Sequence, residues 1–324
     1  MFEFSHKPVL LNEALDMLAL TEGMTVIDGT LGGGGHSAEI LNRIGKTGKL
    51  IGIDRDNDAL EFCKKKFAGN DAFIPVKANY SEMKNVCANL GIEHVDAILL
   101  DLGVSSYQLD NTERGFSYMH DCALDMRMDT QQTLTAYDVV NNMSVEELSK
   151  IIWEYGEDKF SRRIAEFIVR NRPINTTFEL NKAIEAAIPA KFRREGPHPS
   201  KRTYQAIRIY VNNELEPLEN TIKDAVSLLN PTGRLAIISF HSLEARAVKT
   251  TMKHLELDCI CPKQSLICTC NKVREVKMLT KKPITASDEE LEENPRSRSA
   301  ELRVCEKLPV TAKRNGIIYF TERK

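Results

Sequence analysis

The residues best placed to do chemistry are a glycine run bracketed by acids. Thr25-Val26-Ile27-Asp28 is a short apolar run closed by a carboxylate, and it opens directly into Gly29-Thr30-Leu31-Gly32-Gly33-Gly34-Gly35-His36, with a helix-forming segment behind. Strand, glycine turn and helix in that order make a nucleotide cradle. Glycines admit positive φ and let a ligand lie against the main chain, and the helix N-terminus turns its unsatisfied N–H groups toward that ligand. A second acid, Asp54, closes the next apolar run, Leu50-Ile51-Gly52-Ile53. It follows Gly32 at nearly the spacing of about 20 residues at which a carboxylate reaches a ribose hydroxyl pair. A third, Asp101, closes Val95-Asp96-Ala97-Ile98-Leu99-Leu100. A glycine turn without a ligand is the bland alternative, and it forgoes about 0.5–1 kcal/mol per glycine in regular structure for no return.

The register of the loop narrows the ligand. The dinucleotide fingerprint fits only loosely, as Gly33-x-Gly35-x-x-Ala38, and within an unbroken glycine run such a fit says little. The alternation Asp28, Thr30, Gly32, Gly34 resembles the S-adenosylmethionine loop of Rossmann-like methyltransferases, with Thr30 where the first glycine usually stands.

The elements that must hold these residues alternate along the first third of the chain. Helical apolar spacing is expected over residues 9–20, 37–44, 60–67 and 83–90, and strands over 25–28, 50–54, 72–76 and 95–101. The last of these is almost continuously apolar, as a strand covered on both faces must be. Such alternation predicts a parallel, doubly wound α/β sheet, with ligands beyond the carboxyl ends of the strands, where Asp28, Asp54 and Asp101 stand. The alternation stops at about Tyr107 and returns at about Gly233, with Gly233–Phe240 as a fifth strand followed by His241-Ser242-Leu243-Glu244. Between lie helical segments, 145–155, 162–169 and 180–187, and no strand. Residues 276–279 and 300–308 are expected to close the sheet, with 287–293 a solvated helix or loop between them.

Composition excludes several classes. A chain of 324 residues with net charge −2 does not coat nucleic acid indiscriminately. Local patches must therefore make any phosphate contacts. From Glu157 to Arg208 the count is 12 Lys and Arg against 6 Asp and Glu, which suits a phosphate-facing surface or, more plainly, a solvated helix face. No apolar run has the roughly 20 residues needed to cross a membrane, and Met1-Phe2-Glu3-Phe4-Ser5-His6 carries no signal-peptide pattern, so a cytoplasmic protein without membrane contact is expected.

Taken together, the motifs closely resemble the bacterial ribosomal small-subunit RNA methyltransferase H family, whose members methylate the exocyclic amine of a cytosine. The resemblance rests on His6-Lys7-Pro8-Val9-Leu10-Leu11, on Asp28 to Ser37, on Asp101-Leu102-Gly103-Val104-Ser105-Ser106, and on Arg114-Gly115-Phe116 with Leu124-Asp125-Met126-Arg127-Met128-Asp129. It continues through His198-Pro199-Ser200-Lys201-Arg202-Thr203-Tyr204-Gln205-Ala206, Ser239-Phe240-His241-Ser242-Leu243-Glu244 and Asn294-Pro295-Arg296-Ser297-Arg298-Ser299-Ala300. It implies a Rossmann-like S-adenosylmethionine-dependent methyltransferase domain, residues 1–106 and 208–324, with an inserted helical substrate-recognition domain, residues 107–207. S-Adenosylmethionine is the implied cofactor, with contacts at Gly34, Gly35, His36, Asp54, Tyr80, Asp101 and Gln108. The implied partner is small-subunit ribosomal RNA within the small ribosomal subunit, and a homodimer is compatible with the sequence. Ala245 departs from the family pattern, which usually has an acid after Ser-Leu-Glu.

The implied chemistry needs no metal. A cytosine amine is a poor nucleophile because its lone pair is delocalised into the ring, so the enzyme must hold it in line with the methyl and accept hydrogen bonds that favour a tetrahedral nitrogen. Asp101 is the expected acceptor, and His241, at a strand end, is the second catalytic candidate, as a proton acceptor or a wall of the base pocket. A strand-end acid capping the next turn and a structural histidine are the alternatives. Arg193, Arg194, Lys201 and Arg202, around Pro197-His198-Pro199, are candidates for phosphate contacts. Transfer to DNA or a small molecule, or RNA binding without catalysis, remain alternative functions.

Cys259-x-Cys261 and Cys268-x-Cys270 are compatible with a four-thiolate zinc knuckle, although zinc doublets usually leave two or more residues between their cysteines. A loop with uncoordinated thiols is the other reading. Cys63, Cys87, Cys122 and Cys305 are isolated.

Overall fold

The computed structural model describes residues 8–194, 198–265 and 268–309. It divides into two compact units. One consists of Lys7–Asp54, Cys63–Leu102 and Leu218–Lys324, the other of Arg55–Phe62 and Gly103–Pro217, as far as these are described.

The first unit is built on a seven-stranded sheet. Its strands are β1 (Thr25–Asp28), β2 (Lys49–Asp54), β3 (Phe73–Lys77), β4 (Val95–Asp101), β5 (Leu229–Ser239), β6 (Val276–Met278) and β7 (Glu301–Lys307), in the order β3-β2-β1-β4-β5-β7-β6. The pairs from β3 to β5 are parallel, and β7 runs antiparallel to both β5 and β6. Strand order reverses between β1 and β4, whose register sets Ile27 against Ile98. That reversal opens the crevice in which ligands of doubly wound sheets lie. Val95, Ala97, Ile98, Leu99 and Leu100 of β4 are completely buried, which accounts for the unbroken apolar run. The helices Leu11–Leu18 and Gly35–Ile44 cover one face, packing Leu15, Leu18, Ile40 and Ile44 onto Val26, Leu50 and Leu99. Each such buried aliphatic side chain contributes about 1.5–3 kcal/mol.

The sheet resumes earlier than expected. Helix Leu218–Leu228 belongs to this unit, and β5 begins at Leu229. The register shifts between Val95 and Ala97, opposite Asn230-Pro231-Thr232-Gly233, with Thr232 at φ 69. Pro and Gly at this irregularity look in sequence like a loop preceding the strand.

The second unit is helical, as expected. Helices Ala136–Asn142, Val145–Gly156, Ser161–Arg170, Thr177–Ala187 and Lys201–Asn212 gather around Leu148, Ile152, Ile164, Ile168, Leu180, Ile184 and Ile207. Three of them start at reciprocal caps, Thr135 with Asp138, Ser144 with Glu147 and Thr176 with Glu179. Each cap satisfies N–H groups that the first turn leaves without partners. Gly156 lets two helices meet closely, since a Cβ there would stand 2.8 Å from the Arg202 carbonyl oxygen. By contacts this unit begins at Gly103 and ends at Pro217, and takes in residues 55–62.

Candidate active site

The glycine loop is shaped by bonds at each of its turns. Asp28, at the end of β1, is buried and accepts hydrogen bonds from Ser37 Oγ at 2.7 Å and Thr30 N at 3.2 Å. Leu31 N donates to the Ile53 carbonyl at 3.0 Å, and Gly32 N to Asp54 Oδ2 at 2.8 Å, so the loop is fastened to the end of β2. Gly32 and Gly34 have φ of 49° and 64°, in the left-handed region where only glycine sits without strain. Gly34 is the N-cap of helix Gly35–Ile44, so that helix presents its first N–H groups at the loop. Lys66 Nζ donates to the Gly33 and Gly34 carbonyls at 2.9 and 3.0 Å. A cation thus ties down two carbonyls of the loop.

Asp101, at the end of β4, stands beside this loop. Its main-chain N–H donates to Thr30 Oγ1 at 2.6 Å. The hydroxyl at the place of the usual glycine therefore joins β1's loop to β4, beside the bond of 2.9 Å from Gly29 N to the Leu99 carbonyl. His36 Nε2 lies 3.1 Å from the Val9 carbonyl, which can only accept, so Nε2 carries the proton. Nδ1 then faces Asp101 Oδ2 across 3.8 Å, too far for a hydrogen bond. Asp101 keeps 25% of its side-chain surface open, yet its Oδ1 is enclosed without a partner.

The electrostatics ask for a cation. Burial pushes the Asp101 carboxyl well above the usual carboxylate range, and the negative charges of Asp28 and Glu244 push it further. Burial also raises Asp28, against the opposing effects of Ser37, His36 and the Thr30 amide. The same burial lowers the His36 imidazole against the pull of Asp28, so His36 does not supply the missing positive charge. Among the described residues, neither Asp28 nor Asp101 forms an ion pair with lysine or arginine. A buried carboxyl with an unpartnered oxygen, beside a glycine cradle and short of positive charge, fits a ligand carrying cationic groups. S-Adenosylmethionine, with a sulfonium and an ammonium, is such a ligand.

Tyr80 begins a 3-10 turn, Tyr80–Glu82, after β3 and is 9% exposed. It packs close to β1: a Cβ on Gly29 would lie 3.2 Å from Tyr80 Cβ and 2.4 Å from Leu100 Cδ2. The sheet unit therefore gathers Gly34, Gly35, His36, Asp54, Tyr80 and Asp101 around the loops that follow the parallel strands. His241 caps helix Ser242–Glu256, accepting weakly from Glu244 N at 3.4 Å, while its Nε2 lies 3.1 Å from Glu244 Oε1. Glu244 Oε2 in turn accepts from Phe240 N at 2.9 Å. Both ring nitrogens of His241 thus face Glu244, whose charge bears on Asp101.

Gln108 lies in the helical unit and is buried. Its Oε1 accepts from Ser105 N at 3.0 Å, and its Nε2 donates to Asp56 Oδ2 at 2.9 Å. Asp56 Oδ2 also lies 3.0 Å from Arg114 Nη2, which donates to the Arg127 and Met128 carbonyls at 2.9 and 3.1 Å. Asp56 and Arg114 were not expected from sequence as a pair, although Arg114-Gly115-Phe116 is one of the motif blocks. Lys66 had no signal at all, because carbonyl acceptors leave no mark in a sequence. Among the basic candidates, Arg193, Lys201 and Arg202 are exposed in the helical unit. Pro197, the Arg194 side chain and the His6-Lys7 start of the first motif lie outside the described residues.

The profile of the MraW methylase family matches residues 3–308. The chain belongs to that family. The ribosomal RNA small subunit methyltransferase H of Clostridium botulinum strain 657 is 54% identical over 309 residues, 94% of this chain and 100% of that protein. Proteins of the same name from Finegoldia magna and Clostridioides difficile are 51% and 50% identical, each over 94% of this chain and over 99% and 100% of their own lengths. Family membership agrees with the resemblance seen in the motif blocks, and the mixed α/β sheet agrees with the fold expected from strand-helix alternation. No helix among the described residues is long and apolar enough to cross a membrane.

Proposed function

We propose that this methylase family member transfers a methyl group from S-adenosylmethionine to the exocyclic N4 amine of a cytidine in small-subunit (16S) ribosomal RNA. It would act in the cytoplasm, on RNA held in the small ribosomal subunit. The relatives' shared name supports the RNA acceptor. The observation that carries the chemistry is Asp101, a strand-end carboxyl whose enclosed Oδ1 has no partner.

The donor supplies an electrophilic methyl on a sulfonium centre. The chain's part is to bind, orient and keep water out. Gly34, Gly35 and His36 would line the donor with main chain, Asp54 would take its ribose hydroxyls, and Tyr80 would offer a ring to its adenine. Gln108 is carried as a further contact on family resemblance. Asp101 would accept a hydrogen bond from the target amine, from the donor's ammonium, or from both, drawing the amine's lone pair out of conjugation as the nitrogen becomes tetrahedral. The methylated nitrogen is strongly acidic, so its proton can leave to water. His241 remains a candidate acceptor for it, alongside its place as the cap that holds Glu244.

An amine inside a duplex cannot enter such a site, so the cytidine must be single-stranded or flipped out. The helical unit would recognise that strand. Exposed Phe192 carries Lys159 4.1 Å from its ring centre, and stacking beside a cation suits single-stranded RNA. The test is mass spectrometry of ribosomal RNA nucleosides after unmodified small subunits are incubated with donor and protein. N4-methylcytidine is expected with the wild type and absent with Asp101→Ala. Methyl transfer to DNA or to metabolites but not to RNA would overturn the acceptor, and unchanged turnover by Asp101→Ala would overturn the role of Asp101.

A further inference from the structure

Residues 257–275 join helix Ser242–Glu256 to β6 without a helix or strand among the described positions. Connections longer than about 12–15 residues that lack secondary structure are uncommon in compact domains and need something else to order them. The base of this one is closed: Glu275 N donates to the Leu255 carbonyl at 2.9 Å, Arg274 Nε to the Glu256 carbonyl at 2.9 Å, and Met278 N to Glu256 Oε1 at 3.0 Å. Among its described residues no apolar core is seen. Leu257 and Ile260 are 45% and 51% exposed, and what the loop gathers instead is four thiols.

Those thiols are arranged as the corners of a tetrahedron. Sγ of Cys259 and Cys268 are 3.6 Å apart, Cys268 and Cys270 3.5 Å, Cys270 and Cys259 3.8 Å, and Cys261 and Cys268 4.0 Å. All four sulfurs lie within 4.8 Å of one another. Sulfurs bound tetrahedrally to one zinc at about 2.3 Å stand about 3.8 Å apart. Neither a disulfide nor hydrophobic packing accounts for this cluster. A disulfide would bring one pair to about 2.05 Å and break the near-equality, and none of the eight cysteines is in a disulfide. Cysteines packed as small hydrophobes are buried, as Cys63, Cys87 and Cys305 are here, whereas these four are half-exposed. Spacing within 4.8 Å also leaves no room for a multi-iron cluster, whose ligands spread over more than one metal.

The surrounding main chain is set to hold thiolates. Cys261 N donates to Cys259 Sγ at 3.4 Å, Ile260 N to Cys270 Sγ at 3.3 Å, and Thr269 N to Cys261 Sγ at 3.4 Å. Such amides orient metal-bound sulfurs and offset their charge. The doublets have one residue between their cysteines rather than the usual two or more, and the loop's fold brings the sulfurs to tetrahedral spacing despite that.

We propose that Cys259, Cys261, Cys268 and Cys270 bind one structural zinc ion, which orders the segment between the helix after β5 and strand β6. All four positions are filled by protein, so the ion is closed to substrate and serves the fold. The proposal is independent of the methyl-transfer reading.

The test uses the full chain, expressed in zinc-supplemented medium and purified under reducing conditions. Elemental analysis should find about one zinc per chain. Replacement by cobalt should give the red-region ligand-field bands and near-ultraviolet charge transfer of a tetrahedral thiolate complex. The double variants Cys259→Ser/Cys261→Ser and Cys268→Ser/Cys270→Ser should each lose the zinc while keeping the far-ultraviolet circular dichroism of the wild type. Trypsin should then cut after Lys263 or Lys272 about tenfold faster, since metal binding is local folding free energy. Less than about a fifth of an equivalent of zinc in the wild type, a full equivalent retained by either double variant, or iron in place of zinc would overturn it.

Discussion

Gly34 and Gly91 both have positive φ, 64° and 67°, but their surroundings differ, which makes them a controlled pair. A Cβ on Gly91 would meet nothing within 4 Å, whereas on Gly34 it would stand 2.8 Å from Cys63 Sγ and 2.9 Å from Phe67 Cε2. Gly91→Ala therefore carries only the backbone term, about 1–2 kcal/mol for a non-glycine residue in the left-handed region. Gly34→Ala carries the same term plus overpacking of a well-filled space, typically about 1–3 kcal/mol, for a total of roughly 2–5 kcal/mol. At about 2–4 °C of melting temperature per kcal/mol for a domain of this size, the melting temperature should fall by a few degrees in Gly91→Ala and about twice as far in Gly34→Ala. Calorimetric melts of the two variants and the wild type, without ligand, decide this. S-Adenosylmethionine affinity, measured by titration calorimetry, should drop only in Gly34→Ala, because Gly91 lies outside the cradle. Equal melting temperatures for the two variants would refute the claim that the cradle is built to the width of a hydrogen atom at position 34.

Four further outcomes follow from the geometry. Only ionised Asp101 favours a cation, so the wild-type affinity for S-adenosylmethionine should weaken as pH falls through the raised Asp101 pKa, at pH values where ordinary carboxylates near 3.9 stay ionised. Asp101→Asn should flatten that dependence and weaken binding by roughly 10- to 150-fold, the contribution of a hydrogen bond to a charged group. In the ligand-free protein the sign is opposite. The native state binds more protons than the unfolded chain between the ordinary and the raised pKa, so stability falls as pH rises through that window, and melts of Asp101→Asn should lack this loss. Arg114→Met removes the guanidinium from the buried Asp56 carboxyl and should cost about 3–5 kcal/mol in urea denaturation, part of it recovered by adding Asp56→Asn. Lys201→Glu with Arg202→Glu should weaken binding to small-subunit RNA and lessen its salt dependence without changing donor affinity; equal loss of both would mean misfolding.

What the sequence reveals and conceals here follows from the range of each interaction. The strand β4 coincides with its apolar run from Val95 to Asp101 because burial on both faces acts on every residue in turn. The alternating reading of the glycine loop agrees with the backbone, which takes positive φ at Gly32 and Gly34 and not at Gly33 and Gly35, since conformation at a glycine is a local property. One helix of the second unit begins three residues before its apolar spacing does, at Thr177 rather than 180. The polar cap Thr176 with Glu179, not an apolar side chain, sets that start. By contrast, Lys66 on the Gly33 and Gly34 carbonyls, Asp56 with Arg114, and the Sγ tetrahedron all join residues that no periodicity relates. Asp101 belongs to both kinds. Its place at a strand end is written in the run before it, but its raised pKa depends on burial and on Asp28 and Glu244 arriving from β1 and from beyond β5. A buried carboxyl near other acids is costly to ionise in the ligand-free fold, and a bound cation would offset that cost. For this reason the unfavourable electrostatics of Asp101, more than the glycine loop, carry the proposed placing of the methyl donor.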